Sequence, residues 1–283
     1  MLDYKIKTFL TLCEKMNYTV TAEVVHLTQP AVTAHIQLLE EEYGCKLFTY
    51  ENRVLKKTKQ AEILERYAQS VIFNEKKLLE DLQPNGKTLI RIGATKTIGN
   101  YILTDKIKKL AQNDDFEICF FVENTKNLLR MLKSSALDFV FLEGFFNKID
   151  YDYKFFQTGE LVGICAPEHV FANKSINVED IFSQHVIIRE KGSGTREIFE
   201  RVLQENNFSF KNIVHKTTIN SFYHIIDLVK NNIGISFVFK QIFDTCDNLA
   251  TFSINNIHIT HEFNCVFLKN TCNNLEHIAE KFF

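Results

Sequence analysis

Residues 17–48 read NYTVTAEVVHLTQPAVTAHIQLLEEEYGCKLF, and this stretch decides how the amino-terminal part of the chain folds. Thr28 is a good N-cap, and Pro30 suits the first turn of a helix, where proline sacrifices no intrahelical hydrogen bond. The same proline would break a helix that ran continuously through residues 20–43. The sequence therefore predicts two helices separated by a tight turn, and Gly44 ends the second of them.

An apolar stripe runs along the second of these helices. Its members recur at the spacing of one helix face: Val32, Ile36, Leu39 and Tyr43. The rest of the helix surface then faces outward. Gln29, Thr33 and Gln37 offer uncharged donors and acceptors on that surface, and such groups suit base edges in the major groove of DNA.

Elements on both sides complete a small domain. Apolar residues at helical spacing over residues 6–13 predict a first helix ending near Asn17, and a short second helix follows Thr19. Residues 47–50 and 54–57 read as two strands of a hairpin. The pattern predicts a winged helix-turn-helix over residues 1–58, in which Arg53, Lys56 and Lys57 of the wing contact phosphates.

The order of these residues resembles the LysR family of transcriptional regulators. The resemblance rests on residues 17–22, residues 28–33, Ile36, Leu39 and the Leu47-Phe48 pair. It places residues 29–33 at the start of the family's recognition helix and implies double-stranded operator DNA as the partner. The candidate DNA-binding residues are Thr28, Gln29, Pro30, Thr33, His35, Gln37, Arg53, Lys56 and Lys57.

A long helix is predicted after the wing, because residues 58–82 contain neither glycine nor proline. Its apolar residues follow helical spacing: Leu64, Tyr67, Val71, Leu78 and Leu82. This stripe packs either on its own domain or on a second copy of the chain. The resemblance implies the second alternative, a homo-oligomer (dimer or tetramer). Pro84-Asn85-Gly86 would end this linker, which we assign to residues 59–86.

The remainder, residues 87–283, alternates strand-like and helical runs. The strand-like runs are residues 89–93, 116–122, 137–142, 162–166, 186–189 and 233–238. This alternation indicates an α/β domain, in which ligands bind beyond the carboxyl ends of the strands. The loop over residues 189–196, REKGSGTR, is read either as a flexible turn with a threonine cap or as an anion-binding loop before a helix over residues 197–205.

The same loop resembles the effector domain of the LysR family, especially in the branch that regulates sulfur and carbon assimilation. That domain is similar to a periplasmic binding protein, with two lobes around a cleft. We expect lobe I at about residues 87–160 and 262–283, lobe II at about residues 161–261, and a small-molecule effector, for which an anion is one alternative. The candidate effector-binding residues are Thr95, Thr97, Glu143, Ser193, Gly194, Thr195 and Asn220.

Length, composition and charge limit the number of folding units and the classes of function. The chain has 283 residues, 45% hydrophobic and 24% charged, with a formal net charge of −2. This length predicts two or three folding units, and the charge alone gives no indication of nucleic acid. No secretion signal and no apolar run of about 18 residues is visible, so we expect a cytoplasmic protein with no membrane partner.

Other classes of function find less support in the sequence. The nine histidines show no metal or catalytic-triad spacing, so we expect neither an enzyme nor a cofactor or metal. A transport binding protein would not carry a winged helix. A thiol-based redox regulator of the same fold, using Cys246, Cys265 or Cys272, remains the alternative. RNA polymerase is a further candidate partner.

Overall fold

The structure is a computed structural model that describes residues 3–82, 87–271 and 274–283. Within these residues the chain forms two compact units. The first unit consists of the described residues of Met1–Gly86, together with those of Lys133–Ser135 and Leu268–Asn273. The predicted breaker at residues 84–86 lies outside the described part of the chain.

Three helices open the first unit: α1 (Tyr4–Lys15), α2 (Tyr18–Val24) and α3 (Gln29–Tyr43). α1 ends two residues before Asn17, because Met16 turns into the left-handed conformation. Asn17 instead caps α2, since its Oδ1 accepts hydrogen bonds from the N–H groups of Thr19 (2.9 Å) and Val20 (3.1 Å). The second helix therefore begins before Thr19, earlier than the sequence predicted.

The predicted boundaries of α3 are confirmed. Thr28 Oγ1 accepts a hydrogen bond from Ala31 N at 3.3 Å, and Pro30 lies in the first turn. Gly44 ends the helix at φ 63°, in the left-handed region that favours glycine. Ile36 and Leu39 of α3 pack with Phe9 of α1 in the core of this unit.

The wing is a two-stranded hairpin of β1 (Phe48–Glu51) and β2 (Val54–Lys57), antiparallel, with Glu51 opposite Val54. Asn52 (φ 49°) and Arg53 (φ 65°) connect the strands, and both have left-handed backbones. Two such residues form the type I′ turn that suits a two-residue hairpin. The unit is a winged helix-turn-helix.

The long helix α4 (Lys59–Asp81) follows directly, with Thr58 Oγ1 accepting from Ala61 N at 3.1 Å. Its apolar residues divide between two environments. Leu64 packs against the core of the winged helix-turn-helix, whereas Tyr67 and Leu78 are 65% and 57% exposed. Part of the predicted stripe thus packs on its own domain, Val71 is half-buried, and Tyr67, Leu78 and Leu82 are exposed within this chain.

The second unit is an α/β structure. Its first elements are β3 (Thr88–Thr95), α5 (Lys96–Tyr101), α6 (Thr104–Ala111), β4 (Phe116–Glu123), α7 (Thr125–Lys133), β5 (Phe139–Leu142) and β6 (Tyr151–Cys165). These are followed by β7 (Ser175–Ile176), α8 (Val178–Phe182), β8 (Val186–Arg189), α9 (Gly194–Glu205), a 3₁₀ turn (Phe210–Asn212), β9 (Lys216–Ile219) and α10 (Phe222–Lys230). The last are β10 (Ile235–Phe239), α11 (Lys240–Phe243), β11 (Ala250–Ile254), β12 (Ile259–Leu268) and α12 (Asn274–Glu280).

One sheet runs through this unit in the order β4-β3-β5-β12-β6-β10-β8-β9. β3 is parallel to β4 and β5, and β8 is parallel to β9 and β10. β12 is antiparallel to β5, and β6 is antiparallel to β10. The two parallel groups form two lobes, and the long strands β6 and β12 link them, as the predicted architecture requires.

All six predicted strand-like runs contain or overlap a strand. The strands that were not predicted are β7, β9, β11, β12 and the first part of β6. Aromatic contacts hold each lobe. In one lobe Phe139 and Phe141 pack edge-on at 5.9 Å, and in the other Phe199 stacks on Phe237 at 4.1 Å. Among the described helices, none combines the length and apolar character needed to cross a bilayer.

Candidate functional site

The outward surface of α3 presents the predicted base-reading groups. Gln29 and Gln37 are exposed, and Thr33 is half-buried with its Oγ1 donating to the backbone oxygen of Gln29 at 3.1 Å. The spacing of four residues places these three side chains along one side of the helix. Thr28 and Pro30 stand at the start of the helix, where both are exposed.

His35 has a different placement. Its Nδ1 lies 2.9 Å from Thr8 Oγ1 of α1, and the ring is half-buried. This hydrogen bond lies on the other side of the apolar stripe from Thr33, so His35 fixes α3 against α1. The structure does not bring it together with the outward glutamines.

The three basic residues of the wing differ in their exposure and in their ion pairs. Arg53 is exposed at the tip of the hairpin, whereas Lys56 forms an ion pair with Glu51. Lys57 donates to Glu65 of α4 at 2.6 Å. Burial alone would lower the pKa of Lys57, but the hydrogen bond and charge of Glu65 raise it above its usual value. Lys57 is thus engaged in an ion pair with α4. Arg53 is exposed at the wing tip, where its side chain can reach a phosphate.

In the second unit, the predicted effector residues of lobe I meet where β3 and β5 end. Glu143 directly follows β5 and is 1% exposed. Thr95 Oγ1 donates to Glu143 Oε2, and Thr97 Oγ1 donates to Oε1 at 3.2 Å. Burial raises the pKa of Glu143 to about 7, although the charge of Arg189 and the Thr97 hydrogen bond act to lower it.

The predicted residues of lobe II form the start of α9, which begins at Gly194, earlier than the predicted start at residue 197. Gly194 meets Gly144 of the other lobe, because a Cβ built on Gly194 would lie 2.7 Å from the Cα of Gly144. A Cβ on Gly144 would lie 2.6 Å from Thr125 Oγ1 at the start of α7. Glycine at both positions permits the two helix starts to approach, and Ser193 and Thr195 are buried there.

Charged groups border this junction. Arg189, at the end of β8, donates from Nε and Nη2 to Glu190 at 2.8 and 3.1 Å and lies over the ring of Phe222. Lys96 lies 3.5 Å from Glu190 and donates to the backbone oxygen of Asn220, whose own side chain is exposed. Burial alone would raise the pKa of Glu190, but Arg189 holds it below its usual value.

Buried polar atoms without a hydrogen-bond partner concentrate at the same junction. Within the described part of the chain they include Thr125 Oγ1, Arg189 Nη1, Ser193 Oγ and Thr195 Oγ1. Buried polar groups are normally paired, so orphaned ones call for an explanation. Three hydroxyls and one guanidinium N–H, beside the starts of two helices, form a set that stabilises an anion.

Thr125 and Arg189 were missing from the predicted site residues. Thr125 follows β4 by two residues, so the rule that ligands bind beyond strand ends could have found it. Arg189 stood inside the quoted loop, but nothing in the sequence shows that its Nη1 is buried. Lys96 and Glu190 likewise become recognisable only through their mutual ion pair.

The thiols give little support to redox chemistry. Cys246 is half-buried, and its Sγ donates a hydrogen bond to the backbone oxygen of Ile242. Cys265 is buried. Burial raises the pKa of Cys165 to about 11, so a reactive thiolate is disfavoured there. No disulfide joins the six cysteines that the structure describes, and Cys272 lies outside the described residues.

A DNA-reading winged helix followed by a long helix and a two-lobed ligand domain defines a class, the transcription regulators that sense a small molecule directly. Family comparison gives the particular family. The model of the LysR substrate binding domain matches residues 85–271, and that of the bacterial regulatory helix-turn-helix protein, lysR family, matches residues 4–62. The chain belongs to the LysR family and is a DNA-binding transcriptional regulator with an effector-binding domain.

Individual relatives agree with this family. The regulator CysL of Bacillus subtilis (strain 168) is 27% identical over 242 residues, which cover 84% of this chain and 80% of CysL. The RuBisCO operon transcriptional regulator of Allochromatium vinosum is 25% identical, covering 83% of this chain and 78% of that protein.

Solved structures show the same fold. A full-length OxyR variant from Pseudomonas aeruginosa is 18% identical with a TM-score of 0.60, covering 100% of this chain and 94% of that chain. The regulatory domain of Synechocystis PCC6803 CcmR in complex with 2-PG is 18% identical with a TM-score of 0.62, covering 69% of this chain and 95% of that chain.

Proposed function

We propose that a small anion, bound between the two lobes, controls how this regulator binds its operator. The observation that carries the proposal is the group of orphaned buried donors: Thr125, Arg189, Ser193 and Thr195. An anion accepts hydrogen bonds from all of them, which removes the cost of leaving them unpaired. The CcmR regulatory domain, which has the same fold, is in complex with 2-PG, and this supports a small-molecule effector for the present chain.

Each predicted effector residue takes a definite part in this proposal. Ser193 and Thr195 donate their hydroxyls, Gly194 permits the close approach of the lobes, and Thr95 and Thr97 hold the carboxylate of Glu143. Asn220 contributes through its backbone oxygen, which fixes Lys96. We place the lobe boundaries near residues 160 and 261, because β6 pairs with β10 from residue 161 onward.

On the DNA side, we propose that Gln29, Thr33 and Gln37 read base edges while Arg53 anchors the wing to a phosphate. Lys56 supplements Arg53 once DNA competes with Glu51 for its ammonium group. The exposed part of the α4 stripe supports pairing with a second copy, so that two wings address two half-sites.

Membership of the LysR family also supports proposals about where this chain works and with which partners. Since LysR proteins are transcriptional regulators, we propose that this chain works in the cytoplasm, without catalysis, and communicates with RNA polymerase at the promoters it controls. The names of CysL and of the RuBisCO operon regulator favour target genes in sulfur or carbon assimilation.

Calorimetry with inorganic phosphate, sulfate and 2-phosphoglycolate tests the anion site on the full chain. Thr195→Val removes one donor while nearly preserving shape, and should weaken binding roughly ten- to hundredfold. Thr88→Val, the same change at the exposed far end of β3, should leave affinity unchanged. If none of the three anions binds, or if Thr195→Val binds them as the wild type does, the proposed site is wrong.

A further inference from the structure

The carboxylate of Glu143 is buried beside the anion site with little compensation for its charge. Its side-chain partners are the hydroxyls of Thr95 and Thr97, which are neutral donors, and its own backbone N–H adds a hydrogen bond that lowers its pKa. Among the described cations, none forms a salt bridge with it. A buried carboxylate retains lone pairs beyond these bonds, so Glu143 can accept a further hydrogen bond.

The other charged groups at the junction are engaged with one another. Arg189 directs two of its N–H groups to Glu190, and Lys96 also lies beside Glu190 at 3.5 Å. Two cations therefore compensate the carboxylate of Glu190 directly. Glu143 lies within reach of two opposing charges, because Arg189 lowers its pKa and Glu190 raises it. The balance of charge at the site is set by whether Glu143 carries a proton.

The contact between Gly144 and Gly194 brings Glu143 near two of the orphaned donors. Gly144 follows Glu143 in the chain and touches Gly194, whose neighbours are Ser193 and Thr195. A bare anion held by those hydroxyls would lie near an ionised Glu143, and two like charges in a buried site repel strongly. A hydrogen between the two groups converts that repulsion into a hydrogen bond.

Resting on the anion site of the preceding section, we propose that Glu143 accepts a hydrogen bond from the ligand itself. The cleft then selects compact anions that carry their own donor, such as hydrogen phosphate or a hydroxy acid, over anions of equal shape that carry none, such as sulfate. Glu143 is the specificity-determining residue of the site. Its selectivity follows from the rule that a site built around a hydrogen bond rejects the analogue lacking the donor.

The pH dependence of this selection has a definite sign. Because burial raises the pKa of Glu143 to about 7, its carboxyl is protonated below neutrality and can then donate to sulfate. Above neutrality it is ionised and accepts only from a ligand that brings a proton. With a pKa of about 7, sulfate affinity should fall about tenfold between about pH 6 and about pH 8.

The test uses phosphate and sulfate, two tetrahedral anions of nearly equal size, in calorimetry on the full chain at those two pH values. Wild type should bind phosphate at least about tenfold more tightly than sulfate at about pH 8, with a smaller difference at about pH 6. Glu143→Gln should abolish the pH dependence of sulfate binding. Glu197→Gln, which removes a half-buried carboxylate from the first turn of α9, should leave the wild-type ratio unchanged.

The outcomes separate the two proposals. If wild type binds both anions equally at both pH values, or prefers sulfate, the role of Glu143 is refuted while the anion site stands. If neither phosphate nor sulfate binds, the inference fails, and the anion site fails with it if 2-phosphoglycolate does not bind either. The wild-type comparison decides the matter even if Glu143→Gln does not fold.

Discussion

At the scale of single residues, Arg53 is held in a conformation that its own side chain disfavours. Its φ of 65° is left-handed, and a side chain there costs about 1 kcal/mol relative to glycine. Strain of this kind persists where function requires the side chain. We infer that the requirement here is a phosphate contact made by the guanidinium of Arg53 at the tip of the wing.

We therefore expect Arg53→Gly to stabilise the free protein by up to about 1 kcal/mol while weakening DNA binding. The loss should be alike on operator and random duplexes, and the salt dependence should decrease by about one released counterion, because a phosphate contact carries no sequence information. Urea unfolding and titrations at several salt concentrations measure both effects.

Asn52→Gly is the matched control, since it changes the other left-handed residue of the same turn without removing a charge. Gln29→Ala provides the contrast, because it should weaken the operator complex by about 1 to 3 kcal/mol and spare random DNA. Unchanged binding of Arg53→Gly to every duplex would refute the role of the wing tip.

Glu143 also makes stability depend on pH. Its pKa of about 7 in the folded chain lies above the usual 4.5, so the folded state holds a proton that the unfolded state has already released between these values. The free energy of unfolding should therefore fall as pH rises from about 4.5 to about 7, by roughly 3 kcal/mol.

Glu143→Gln removes this titration, so its stability advantage over wild type should grow from about pH 5 to about pH 8, as followed by urea unfolding of the full chain. The exposed Glu117→Gln on β4 should show no such trend. If the free energies of unfolding of wild type and Glu143→Gln differ by a constant amount across this range, the pKa of Glu143 is not raised in the folded chain.

At the scale of elements, features that depend on neighbouring residues could be predicted from the sequence, whereas strands that depend on distant pairing partners could not. Thr28 and Gly44 fixed the ends of α3 because capping depends on neighbouring residues. The first part of β6, by contrast, mixes charged and apolar residues and becomes a strand only through partners far along the chain. For the same reason the sequence did not reveal Thr125 and Arg189, because the burial of their unpaired atoms depends on residues far along the chain.

The helix α4 carries a prediction of its own. Tyr67 and Leu78 expose most of their surface within one chain, although a helix face of this kind is normally covered. Tyr67→Asp should place a charge in the interface between two copies and shift dimers toward monomers in light scattering. Gln69→Asp, which helical geometry places on the opposite side, should leave the mass unchanged.

Dissociation by Gln69→Asp as well would point to general damage to the helix. An unchanged mass in Tyr67→Asp would show that this face of α4 does not join two copies.

At the scale of the whole molecule, this chain joins a DNA-binding domain to an effector-binding domain, for which we propose an anionic ligand. The sequence was sufficient for the family and for both kinds of domain, because the order of residues 17–48 and the loop at residues 189–196 are specific. Coupling between two sites requires a difference in ligand affinity between functional states, commonly about 5- to 150-fold. Only a measurement that reads both sites in the same sample addresses that coupling.

That measurement is the affinity of the full chain for its operator, with and without inorganic phosphate at constant ionic strength, in wild type and in Thr195→Val. We predict that phosphate changes operator affinity at least about fivefold in wild type and leaves binding to a random duplex unaltered. Thr195→Val should bind the operator normally and lose the response. A response of equal size in both proteins, or no response in wild type, would contradict the account.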